Sequence, residues 1–120
     1  MSNRTIRIAE LVQRELGLYL HTRYKQEAVL ITVAGVEVAP DLRTGRIYFA
    51  IIGDEETVAE RFRWLQRKRG ELRRELAQRI KIKHAPDWVF LIDHTVERGN
   101  RVLNLLDEIA ADEKPKEGDS

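Results

Sequence analysis

The chain has no cysteine, three prolines, one methionine and few aromatic rings, and none of its apolar runs is long. Without cysteine there are no disulfides, no thiolate nucleophile and no cysteine-ligated zinc or iron–sulfur centre. No apolar run approaches the roughly 20 residues that a membrane-spanning helix needs, and the opening Met1-Ser2-Asn3-Arg4 leads into a polar, periodic segment without the apolar centre of a signal peptide. His21, His84 and His94 fall on separate segments with no ligand spacing between them, so no metal site and no cofactor is expected. What remains is a chain of 120 residues, 42% apolar and 34% charged. That length builds one domain and buries roughly two-thirds of the unfolded surface. A soluble, cytoplasmic, monomeric domain is the expectation.

Charge is abundant and unevenly distributed. The formal total is +1, yet residues 61–84 carry ten Lys/Arg against only Glu71 and Glu75. Residues 28–60 and 85–120 are net acidic, at −4 and −5. An ordinary solvated helix face interleaves its charges at i,i+4. Ten bases against two acids is too lopsided for that, and it sets up a local field that attracts a polyanion while the rest of the surface repels it. Nucleic acid is the preferred partner. An acidic protein, docked by the same ridge in an adaptor role, is the alternative.

Ile8, Leu11, Val12, Leu16, Tyr19 and Leu20 recur at helical spacing and predict an amphipathic first helix. Val29, Ile31 and Val33 alternate at odd positions and Val36 and Val38 at even ones, so a β-bulge is expected at Ala34-Gly35. A turn over Pro40–Gly45 leads to the β-rich run Arg46–Ile52, Gly53 ends it, and Asp54 reads as the cap of the next helix. The stripe Val58, Phe62, Leu65, Leu72, Leu76, Ile80 is interrupted at Arg69-Gly70, which predicts two helices, 54–68 and 71–81, joined at a kink of Lys68, Arg69 and Gly70. After Pro86, the nearly continuous run Trp88–Ile92 predicts a central strand. Val102, Leu105, Leu106 and Ile109 predict a short closing helix, and residues 111–120 an acidic, disordered tail beyond a domain of 1–110. The architecture that satisfies this order is a two-layer α+β domain, a three-stranded sheet covered by helices on one face.

On a helical wheel, Arg63, Arg67, Gly70, Arg74, Gln78 and Lys81 point away from the apolar stripe and form a cationic ridge suited to a phosphate backbone. Arg73, Lys83 and His84 would extend it, and Arg7 and Arg14 would add a second edge if the first helix packs alongside. Lys68 is expected to reach a phosphate, whereas Arg69 either does the same or pairs with Glu75. Trp64 is read as an edge-of-core ring more readily than a base-stacking one, and Trp88 and Phe90 as core. Asp93 and Glu97 have no accompanying nucleophile or base and are explained as a helix cap and first-turn acid, so no enzyme is expected.

Four stretches in order resemble the bacterial ribosome-binding factor A family: Arg7–Leu16; Thr32–Leu42; Leu72-Arg73-Arg74-Glu75-Leu76 with Ile82-Lys83 and Ala85–Phe90; and Asp93, Glu97, Gly99 with Val102-Leu105-Leu106. The resemblance implies a type-II KH-like fold in which a kinked helix pair, Ala-x-Gly, replaces the Gly-x-x-Gly loop. Here Gly70 is retained and Lys68 stands where the small alanine is expected. It further implies binding to free 30S subunits, late maturation of the particle and processing of the 16S rRNA 5′ region, support of growth in the cold, no enzymatic activity, and ribosomal proteins and other assembly factors as neighbours.

Overall fold

The computed structural model describes residues 3–82 and 84–94. Its elements run α1 (Asn3–Arg23), β1 (Ile31–Val38), β2 (Thr44–Ile51), α2 (Glu55–Arg67), α3 (Arg69–Arg79) and β3 (Asp87–Ile92). The expected closing helix, the tail and Lys83 lie outside the described residues, as does the 1–110 domain boundary.

β1 and β2 pair antiparallel, and the register slips between Val33 and Gly35. The parity change in the sequence is therefore a bulge: it brings Val36 and Val38 onto the same face as Ile31 and Val33, opposite Ile47 and Gly45. β3 joins the other side of β2 in parallel, giving the order β1-β2-β3. The expected central strand is thus an edge strand. Its apolar run is not buried on both faces: Trp88 and Phe90 face the core at 4% exposure each, whereas Val89 points outward at 46%. A run of apolar residues cannot by itself separate a central strand from an edge strand beside an open sheet face.

The packing of β3 depends on one missing side chain. Gly45 lies opposite Trp88 across the parallel pair, and a Cβ there would run into the indole ring. The ring takes that space, and Phe49 and Phe90 meet edge to face beside it at 5.0 Å.

α1 lies along β1. Val12, Leu16 and Leu20 are fully buried beneath it, Gln13 Nε2 donates to the Val33 carbonyl at the bulge (3.0 Å), and His21 Nε2 lies 2.7 Å from the Ile31 carbonyl. α2 starts as expected. Gly53 takes a positive φ of 147°, and Asp54 accepts from the Thr57 N–H at 2.8 Å, a bond that holds its carboxyl below the usual range. The break between the helices is narrower than expected. Only Lys68 leaves helical geometry (φ −89°, ψ 0°), and Gly70 sits inside the first turn of α3. The Lys68 N–H still reaches the Trp64 and Leu65 carbonyls, and its carbonyl accepts from Leu72 N–H, so the hydrogen-bond ladder barely lapses.

Candidate nucleic-acid interface

The two helices α2 and α3 bury one stripe and expose the opposite one. Leu65, Leu72 and Leu76 are in the core, while Arg63, Arg67, Gly70, Arg74 and Gln78 are exposed, as the wheel requires; Lys81 is exposed too, but α3 ends at Arg79 rather than at the expected 81 and Ile80 is extended, so Lys81 lies beyond the helix. Arg63, Arg67, Arg69, Arg74 and Lys81 make no ion pair among the described residues. From Arg63 to Arg74 the ridge extends roughly 16 Å at 1.5 Å per residue.

The ridge stays unpaired because the segment's only two acids face elsewhere. Glu71 and Glu75, one turn apart, turn toward α1. Glu71 Oε2 accepts hydrogen bonds from the hydroxyls of both Tyr19 and Tyr24, each at 2.5 Å. Its carboxyl is held below the usual range first by Tyr19 and then by Tyr24, and the same bond pushes the Tyr19 hydroxyl up to about 12. Glu75 accepts from Arg79 Nε at 2.9 Å, and the same guanidinium reaches Glu15 of α1 at 3.0 Å and lies 5.3 Å from the centroid of the Tyr19 ring. Arg79 is therefore committed to this seam, its charged form favoured above all by the Glu75 bond.

The remaining candidates divide. Lys68 does not reach outward: its ammonium lies 3.8 Å from Glu71 Oε1 and 4.9 Å from the centroid of the Tyr24 ring. Arg73 bonds the Asp87 carboxylate at 3.0 Å and the Ala85 carbonyl at 3.3 Å, tying α3 to the start of β3. Arg69 has no pair with Glu75, which is taken by Arg79. Arg7 and Arg14, two turns apart, share an exposed face of α1, and Arg14 has one long contact, 3.5 Å, to Glu15. α1 does pack alongside α3, through Glu15 and Tyr19. His84 is exposed. Trp64 is half-buried and meets Tyr24 edge to face at 5.1 Å, which is the edge-of-core placement.

Sequence reasoning missed Tyr19, Tyr24 and Arg23, which lies 5.1 Å from the Tyr24 ring centroid. The available signal was the i,i+4 spacing of Glu71 and Glu75 on the flank of an otherwise basic helix. Among the described residues no group of His, Asp and Glu side chains has the arrangement to hold a metal ion, and no helix is long and apolar enough to cross a membrane.

Residues 4–106 match the model of the family described as Ribosome-binding factor A. Among similar proteins is the Ribosome-binding factor A of Opitutus terrae, 45% identical over 116 residues, which span 97% of this chain and 95% of that one. The protein of that name from Microcystis aeruginosa is 38% identical over 98% of this chain and 94% of its own. Among solved structures, the crystal structure of ribosome-binding factor A from Thermus thermophilus superposes with a TM-score of 0.64 at 23% identity, covering 73% of this chain and 94% of that one. A second similar chain, at TM-score 0.57 and 24% identity over 69% of this chain and 88% of its own, is the Thermus thermophilus factor as a homology model fitted into the cryo-EM map of a 30S complex. These likenesses place the fold in the KH-like α+β class.

Proposed function

The chain belongs to the ribosome-binding factor A family, and from that premise we propose that it binds free 30S ribosomal subunits in the cytoplasm and assists their late assembly and the processing of 16S rRNA near its 5′ end. The work is binding rather than catalysis. Arg63, Arg67, Arg74 and Lys81 are the principal rRNA contacts, joined by Arg69 and, from α1, by Arg7 and Arg14. Lys68 and Arg73 contribute field from within their ion pairs, and Lys83, outside the described residues, extends the line in sequence.

One observation carries this reading: a basic segment whose two acids are both withdrawn into the α1–α3 seam, leaving five exposed cations without an ion-pair partner among the described residues. Such a surface meets phosphates without first breaking internal pairs, and its contacts position RNA without reading its sequence. The 30S complex reported for the Thermus thermophilus factor agrees in partner.

The test is sedimentation of a cell extract on a sucrose gradient with detection of the protein in each fraction. Co-migration with free small subunits is expected, along with its loss when Arg63, Arg67, Arg74 and Lys81 are all changed to Glu. A protein that stays at the top of the gradient at low salt overturns the ribosomal assignment. A co-purified partner that survives nuclease treatment overturns the RNA assignment in favour of an acidic protein.

A further inference from the structure

We propose that the open face of the sheet is the docking surface for this chain's own residues 102–109, a segment outside the described residues. That face is turned away from α2 and α3, so the RNA-binding reading is left as it stands.

The first ground is an apolar surface where a half-solvated sheet is normally polar. The helices bury Ile47, Phe49, Trp88 and Phe90 on the inner face, so strand alternation turns Tyr48, Ala50, Val89 and Leu91 outward. These four are neighbours: Tyr48 lies opposite Leu91 in the parallel pair, with Ala50 and Val89 two positions along their strands. Ile52 continues the row past the end of β2, its N–H bonded to the Leu30 carbonyl at 3.0 Å. Val89 and Ile52 are about half exposed, whereas Ala50 is buried without belonging to the core cluster. The outer face therefore has an apolar cluster of its own. It is charged along β2 only toward the hairpin, where Arg46 pairs with Glu37 at 3.0 Å. A contiguous apolar patch of this kind marks an interaction surface.

The second ground is what the chain has left to cover it. β3 is an edge strand, and the backbone leaves it at the rim of this face, the Asp93 N–H still bonded to the Phe49 carbonyl at 2.8 Å. Beyond that point Val102, Leu105, Leu106 and Ile109 recur at i, i+3, i+4 and i+7, one apolar stripe at helical spacing. So short a helix is not stable alone in water and depends on packing its stripe against something. The match to the family continues to residue 106, well past the end of β3 at Ile92. The dimensions agree. The stripe is about 11 Å long at 1.5 Å per residue, and the row Tyr48–Ile52 about 13 Å at 3.3 Å per residue. The linker from Asp93 to Val102 reaches up to roughly 30 Å, against roughly 10 Å across three strands.

The third ground is the choice of occupant. A tethered segment meets the face at an effective concentration of about millimolar, so a second copy at micromolar concentration competes poorly. A polyanion gains little from an apolar face whose Arg46 is already paired. Docked, the segment makes a third layer behind the sheet and leaves the cationic ridge free.

The experiment uses the full chain, which has no cysteine, so Asn104→Cys carries a single nitroxide on the side of the segment away from the stripe. In amide NMR spectra the signals of Tyr48, Ile52, Val89 and Leu91 should broaden, those of Arg63 and Arg67 should not, and reducing the label should restore them. Adding Leu105→Ser and Leu106→Ser to the labelled chain should abolish the broadening. Without the label, Val89→Ser and Leu105→Ser should each lower the folding equilibrium constant about fivefold, and the double variant should lose much less than the product of the two. An unbroadened outer face, broadening centred instead on Ile6 or Leu18 of α1, or strictly additive losses overturns the proposal. Broadening of an isotope-labelled chain by a separate nitroxide-labelled one assigns the face to a second copy and overturns it as well.

Discussion

The helix pair α2–α3 has two flanks that do opposite things with the same kinds of residue. On the flank facing α1, both acids are answered: Glu71 by two tyrosines and Lys68, and Glu75 by Arg79, which also meets Glu15. On the outer flank Arg63, Arg67 and Arg74 are unanswered among the described residues, as are Arg69 on the side toward β3 and Lys81 beyond the end of α3. Acids are placed where they join helices, and they are withheld where they would neutralise a binding surface. Stability and binding are therefore separated by about half a turn of helix, and substitutions on the two flanks should affect different measurements.

The most disruptive change lies beneath both flanks. Leu72 is fully buried, and Leu72→Ala should cost about 3 kcal/mol in urea unfolding. Next comes the seam. Glu71→Gln weakens two hydrogen bonds to a charged acceptor and should cost about 2 kcal/mol, with little change in the salt slope of RNA binding. A large loss of slope instead would mean that Glu71 orients the ridge directly.

The seam also fixes a pH response. Tyr19 titrates near 10 when unfolded and at about 12 when folded, so the folded state keeps a proton that the unfolded state releases. Its contribution is present in full below pH 10 and lost between pH 10 and 12. Tyr19→Phe should flatten that part of the stability-against-pH curve relative to the parent protein. For Glu71 the sign reverses: its folded value is depressed, so its contribution is present above the ordinary carboxylate range and fades as pH falls through the folded value. Arg79→Ala removes two partly exposed ion pairs and should cost about 1 kcal/mol. The smallest effect on stability belongs to the ridge: Arg67→Gln or Arg74→Gln should stay within about 0.5 kcal/mol of the parent while weakening RNA binding. A ridge substitution that unfolds the protein, or a seam substitution that spares stability and abolishes RNA binding, breaks the division.

Features set by near neighbours in the chain are legible in the sequence. The parity change at Ala34-Gly35 is the bulge, Asp54 is the cap, and the wheel places Arg63, Arg67 and Arg74 outward. Features that depend on distant pairing are not. Nothing local tells Glu71 that Tyr19 and Tyr24 lie 52 and 47 positions away. For the same reason the sequence pattern sends Lys68 toward a phosphate, although the Tyr24 ring and Glu71 hold it inward. The run Trp88–Ile92 suggests the centre of the sheet yet lies at its edge, because apolar content reports burial of a strand, not the number of strands beside it.

The parallel pairing of β3 with β2 bears on the order in which the chain becomes a protein. The β1–β2 hairpin joins positions from Val38 and Gly45 at its turn to Ile31 and Ile51 at its open end, all close in sequence, whereas Thr44 must wait for Asp87, with all of α2 and α3 between them. Non-local parallel contacts form late because the intervening loop must close before they return any energy. During synthesis, the space beside Gly45 therefore stays empty and Phe49 lacks its ring partner until Trp88 and Phe90 emerge. α1, the hairpin and the cationic helices precede them. Substitutions in β3 such as Phe90→Leu should accelerate unfolding far more than they slow folding, whereas Ile47→Val in β2 should slow folding. Comparable slowing of folding by both would mean that the sheet closes in one step.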